Sequence, residues 1–177
     1  DGLSYTRDFS SDNPVVSACV PQNDFSDTNE TIASQGCNFL SSLAVAQIIA
    51  NRALTESEIN EIWNTATTTI VTCYDPDNNF EPYQASAVNP ENAYVRNGDE
   101  LIQQALAYMG INNAKVKIDN TDWSSRGYTQ IAKRKRGITS TGGTHYMLAE
   151  NDTDLICDPY NPDLTVNSPS YVRIWIK

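Results

Sequence analysis

Between Cys37 and about Leu54 most positions are apolar. Phe39, Leu40, Leu43, Ala44, Ala46, Ile48 and Ile49 recur at helical spacing and cover almost the whole circumference. A helix with no polar face has no side to give to water, so the pattern predicts a buried central helix. Thr55-Glu56-Ser57-Glu58 announces a second helix. In this capping box the Thr hydroxyl and the Glu three residues on satisfy each other's free backbone donors. Ile59, Ile62, Trp63 and Ala66 then supply its inner face. Asn97 is a good N-cap for a third helix over about residues 98–109, with Leu101, Ile102, Ala105, Leu106 and Met109 as its stripe and Gly110 as its stop.

After the third helix the period changes to that of strands, at about 114–118, 128–134, 144–150, 154–157 and 171–176, with Asn151-Asp152-Thr153 as a hairpin turn. Helices precede strands, so the expected fold is α+β with a C-terminal antiparallel sheet rather than alternating βαβ units. Thr67–Thr72 is too β-branched to prolong the second helix, and the run from Asp75 through Pro90 has the composition of a long loop. Residues 1–30, rich in Asp, Ser, Asn and Pro, read as an extended N-terminal arm with little chemistry, which leaves 31–177 as one domain.

Charge narrows the function classes. Twenty-two Asp/Glu against 12 Lys/Arg give a net −10, which argues against nucleic acid as a partner. No apolar stretch approaches the ~18 residues of a membrane span. One segment is basic on this acidic body: Lys133-Arg134-Lys135-Arg136. It reads either as the lining of a groove for an anionic substrate or partner, or as a solvated edge strand whose charges guard against aggregation. Asp75-Pro76-Asp77 opens like a calcium loop, but Phe80 stands at its sixth position and Ser86 at its twelfth, where that loop needs Gly and Glu. The four cysteines show no zinc spacing and no phosphate or dinucleotide fingerprint is present, so neither a metal nor a cofactor is expected.

Three residues carry candidate chemistry. Cys37 opens the buried helix, where the free N–H groups and the dipole of a helix N-terminus favour a thiolate and a better nucleophile. The competing reading is an inert buried cysteine. His145 is the only histidine, delivered by the Thr141-Gly142-Gly143 turn to the start of an apolar strand. General-base activation of a cysteine requires an imidazole, so His145 is that base or there is no such enzyme. Asp158 follows the strand Leu155-Ile156-Cys157, and pairing of 145–149 with 154–158 about the turn brings it to His145, where a carboxylate fixes the imidazole's tautomer. Its competing reading is a turn-forming Asp-Pro.

These residues resemble a known family. Gln35-Gly36-Cys37 opening an apolar helix, then Gly143-Thr144-His145-Tyr146-Met147-Leu148, then Ile156-Cys157-Asp158-Pro159-Tyr160, are similar in order and kind to the papain-like cysteine peptidase superfamily. The nearer likeness is to its bacterial members that cut double-glycine leader peptides. The Gln35–Ser42 run with the second-helix pattern also resembles an uncharacterised papain-like family of spirochaetes and their phages. The likeness spans about residues 31–177 and implies a papain-like fold, a Cys37-His145-Asp158 triad and a peptide or protein substrate, cell-wall peptide included. It departs at the oxyanion-hole glutamine, which the family places five or six residues before the cysteine, where this chain has Thr31 or Ile32. Gln35, Gln22 and Asn38 are the amides that could stand in.

The expectation is therefore a thiol hydrolase acting on a peptide or amide bond, with Cys37 within ~3–4 Å of His145 across a helix–sheet cleft. Its rivals are a cell-wall amidase or transglutaminase-like acyl transferase using the same residues, and a catalytically silent binding or exclusion module of a phage or bacterial surface protein. Asp1 in place of Met reads as a processed or trimmed form, and an extracytoplasmic or secreted location is expected. In an oxidising compartment Cys19 and Cys73 are the expected disulfide, because Cys37 is reserved for chemistry and Cys157 lies beside Asp158.

Overall fold

The computed structural model describes residues 20–160 and 165–177. It is a mixed α+β fold with four helices, α1 (Glu30–Gln35), α2 (Cys37–Ala50), α3 (Glu56–Thr68) and α4 (Gly98–Tyr108). Two strands, β1 (Ile70–Asp75) and β2 (Glu81–Ser86), form a separate hairpin. The remaining five are β3 (Val116–Ile118), β4 (Thr129–Ile138), β5 (Thr144–Ala149), β6 (Leu155–Cys157) and β7 (Asn167–Ile176). They build an antiparallel sheet in the order β3-β7-β4-β5-β6.

The mostly apolar helix α2 is central. Every residue of α2 from Phe39 to Ile48 is buried, with α4 on one side and β5 on another. Phe39 meets the Trp63 ring of α3 edge-on, with centroids 5.1 Å apart. Gln47 interrupts the apolar run without leaving an unpaired amide. Its Nε2 donates to the Leu43 carbonyl at 3.2 Å, and its Oε1 accepts the Leu54 N–H at 2.9 Å. The helix ends at Ala50, short of the expected Leu54, because Asn51 turns left-handed (φ 49°) and its N–H closes on Gln47 and Ile48. Both capping expectations hold: Thr55 and Glu58 form the reciprocal box, and the Asn97 side chain accepts the Glu100 N–H.

Three expectations are corrected. Residues 75–90 are not a long loop; β1 and β2 pair from Ile70↔Ser86 to Asp75↔Glu81, and the Asp/Asn-rich stretch is only the turn, closed by left-handed Asn79 and Phe80. Residues 22–25, assigned to the extended arm, form a 3₁₀ turn whose Phe25 is fully buried in the core, while residues 1–19 lie outside the described ones. The basic run is not an edge strand. It lies on β4, the middle strand, hydrogen-bonded on both sides to β5 and β7.

The expected disulfide is also corrected. Cys73 is a free, buried thiol in the β1–β2 hairpin, with its sulfur 3.8 Å from the Ala85 and Ser86 carbonyl oxygens. Cys157 is the disulfide-bonded residue, Cys37 is free, and Cys19 lies outside the described residues. Among the described residues no helix is long and apolar enough to cross a membrane.

Candidate active site

Helix α1 runs into α2 with one residue between them, Gly36. A Cβ at Gly36 would lie 2.6 Å from the Ile32 carbonyl oxygen and 2.8 Å from its Cα. Only glycine allows the two helices to meet so closely, and that junction sets Cys37 as the first residue of α2. The bare backbone serves the Ile32 contact here, and Gly36 itself is buried. No side chain caps α2, and its hydrogen-bond ladder begins with the Leu40 N–H on Gly36 O at 2.8 Å. The backbone donors of its first turn are thus open to an acceptor from outside the helix.

His145 enters from the sheet. The Thr139–Gly143 turn is closed by the Thr139 N–H on Gly143 O (2.8 Å) and the Gly142 N–H on Thr139 O (2.9 Å), with Gly142 at φ +89°, where a side chain would be strained. His145 follows as the second residue of β5 and is 4% exposed. β5 and β6 pair antiparallel through Leu148↔Cys157 and Ala149↔Leu155. Their open end brings Asp158 to the imidazole, with Nε2 2.7 Å from Asp158 Oδ1. The same carboxylate oxygen accepts the Tyr160 N–H at 3.0 Å. Cys37 also acts on the imidazole, raising its pKa. Since Asp158 takes Nε2, Nδ1 is the ring nitrogen left for the sulfur.

The electrostatics follow from this geometry. Burial pushes the imidazole's pKa down, but the hydrogen bond and charge of Asp158, together with the influence of Cys37, outweigh it and hold His145 at about 9, against an ordinary 6.5. The imidazolium therefore persists at neutral pH. Cys73, by contrast, is an ordinary buried thiol whose pKa burial pushes up.

Cys37 and His145 line one cleft of about 550 Å³, walled by residues 92–95, the 139–144 turn, Tyr146 and Tyr160. A volume of that size accommodates a short peptide segment or a comparable small molecule. All three candidate amides also line it. Gln35 is exposed at the end of α1. Gln22 is buried, and its Nε2 is committed to the Ile32 and Ala33 carbonyls at 3.2 Å each. Asn38 sits beside Cys37 in the first turn of α2, with its buried Oδ1 unpartnered.

Gln22 also ties the site together, because its backbone N–H donates to Pro159 O at 2.6 Å, directly after Asp158. The arm-like composition around it hid that role. The cleft-wall residue Tyr94 lies in no periodic segment and in no motif, so the sequence gives no signal for it. Among the described residues no group of three or more His, Cys, Asp or Glu side chains is arranged to hold a metal ion. Compared with known proteins, the chain matches no family model, no curated protein and no solved structure.

Proposed function

We propose that this chain is a papain-like thiol hydrolase that cleaves a peptide or amide bond. The observation that carries the reading is that Cys37 and His145 line one cleft, with the imidazole held from behind by the buried Asp158 carboxylate at 2.7 Å. The Cys37 thiolate attacks the carbonyl carbon, and the carbonyl electrons move to oxygen. The Cys37 backbone N–H and the Asn38 amide receive that oxyanion. The intermediate collapses with rupture of the C–N bond as the His145 imidazolium gives its proton to the leaving amine. His145, now neutral, takes a proton from the attacking water, the C–S bond breaks as the carboxylic acid forms, and the Cys37 thiolate and His145 imidazolium are restored. Asp158 keeps the proton on Nε2 and the ring in plane throughout.

A second reading is a binding module with the same fold. It is favoured by the engaged Gln22 amide, which leaves the oxyanion with one fewer ready side-chain donor; losing one such donor costs ~10²–10³ in rate. Mass spectrometry of Cys37 after mixing with a pooled peptide library separates the two. An enzyme forms acyl-Cys37 and releases amines, both abolished in Cys37→Ala. A library left intact, with no Cys37 adduct, rejects hydrolysis in favour of binding.

A further inference from the structure

We propose that the cleft selects substrates carrying a carboxylate next to the scissile bond, and that Arg136 and Arg134 of β4 receive it; this rests on the thiol-hydrolase reading above. Arg136 is the cross-strand partner of Tyr146, one residue from Gly137, which pairs with His145. Both guanidinium groups lie over the Tyr146 ring, Arg134 at 5.3 Å and Arg136 at 6.0 Å from its centroid; Tyr146 is among the residues lining the cleft with Cys37 and His145, so the two arginines, which do not line it themselves, stand at its margin. Arg134 is half-buried, and its Nε is fully buried without a hydrogen-bond partner.

Neither arginine has a carboxylate partner among the described residues. That is unexpected in a chain with 22 acidic and 12 basic side chains. Lys133 on the same strand does have one, Asp152 at 2.7 Å. A guanidinium keeps its charge when buried, and withdrawing it from water with no counter-ion is costly. Burial accordingly works against the charge of Arg134. Arg134, half-buried without a counter-ion, and the exposed Arg136 beside it on the same tyrosine form a guanidinium pair at the margin of the cleft that can take a carboxylate from outside, since their fork matches its two oxygens.

The test uses three thiol-reactive chloroacetyl compounds of equal size. Chloroacetyl-glutamate α-amide carries a side-chain carboxylate, chloroacetyl-glutamine a terminal carboxylate, and chloroacetyl-glutamine α-amide none. Modification rates of Cys37, followed by intact-protein mass spectrometry, should favour one anionic reagent over the neutral one by about tenfold, the effect of one charge-assisted hydrogen bond. Which of the two is favoured identifies an acidic side chain or a chain end. The ratio should fall to about one in Arg136→Gln, an exposed position, and stay unchanged in Lys135→Gln, whose ammonium lies over Tyr171 instead. Equal rates for all three reagents, or a preference that survives Arg136→Gln, overturns the carboxylate preference while leaving the thiol chemistry standing. If none of the three modifies Cys37 faster than it modifies free cysteine, the thiol-hydrolase reading itself fails and the preference falls with it.

Discussion

Replacing Asp158 by Asn keeps the size and an acceptor oxygen beside His145 Nε2 and removes only the charge. In the native protein that contact, at 2.7 Å and buried, works with Cys37 to hold the imidazole's pKa at about 9. A hydrogen bond to a charged group is worth roughly 1–2 kcal/mol more than a neutral one, which is about one pKa unit. The His145 midpoint should therefore fall by about one unit or more in Asp158→Asn, and fall also in Cys37→Ala. His145 is the only histidine, so its ring-proton NMR signal gives this titration without overlap. The shift also fixes the direction of a stability change. Because the folded pKa is raised from 6.5 to about 9, the stabilisation is fully present below pH 6.5 and is lost as pH rises through 9. Its size is up to about 3 kcal/mol, and urea unfolding at pH 6 and pH 10 should show most of it lost in the native protein and at least about 1 kcal/mol less lost in Asp158→Asn. A native midpoint below 7, or one that Asp158→Asn leaves unmoved, would refute the coupling.

Gly36→Ala should destabilise by about 1–3 kcal/mol and slow Cys37 alkylation, because the new Cβ meets Ile32 backbone atoms that cannot yield; thermal melting and the alkylation rate check both. Gln47→Ala should cost about 1–3 kcal/mol by stranding the buried Leu54 N–H, measured by urea unfolding. Asp99, at the start of α4, is raised from 3.8 to about 6 by burial, against the attraction of Lys117 and the Ile118 N–H. A carboxyl shifted upward weakens the fold above that value, so Asp99→Asn should stabilise at pH 7 by up to about 3 kcal/mol, with the gain disappearing near pH 4 in denaturant titrations.

What the sequence showed well was local. The capping pairs at Thr55/Glu58 and Asn97/Glu100, the largely apolar circumference of α2 and the hairpin turn after β5 all depend on residues within a few positions of one another. The misassignments came from tertiary context overriding composition. Asp75–Asn79 has loop chemistry, yet the flanking residues pair because Cys73 and Ser86 bury one end of the hairpin. The basic run has edge-strand chemistry, yet it occupies the middle of the sheet, where Tyr146 and Tyr171 take its cations onto their rings. No nearest-neighbour signal reports which strands will flank β4.

The candidate site was legible for a related reason. Its three residues are joined by only two long-range facts, and one of them is encoded locally. The turn after β5 is built by Asn151, whose side-chain oxygen accepts the N–H groups of Thr153 (2.9 Å) and Asp154 (2.8 Å), while the Glu150 N–H reaches Asp154 O at 2.9 Å. That turn sets how β5 meets β6, and so how far past the hairpin the residue opposite His145 falls. A slip of one residue would turn Asp158 to the other face and break the contact. The second fact, the approach of Cys37 to His145, is carried by the packing of α2 on β5, including the Ser41 hydroxyl on Tyr146 O at 3.4 Å. An apolar helix buried on every side can approach a sheet closely, so the feature that most strongly predicted α2 also brings its first residue to the imidazole. Gln22 could not be read in this way, because its importance lies in touching Pro159 and the end of α1 at once, a coincidence that only the folded chain contains.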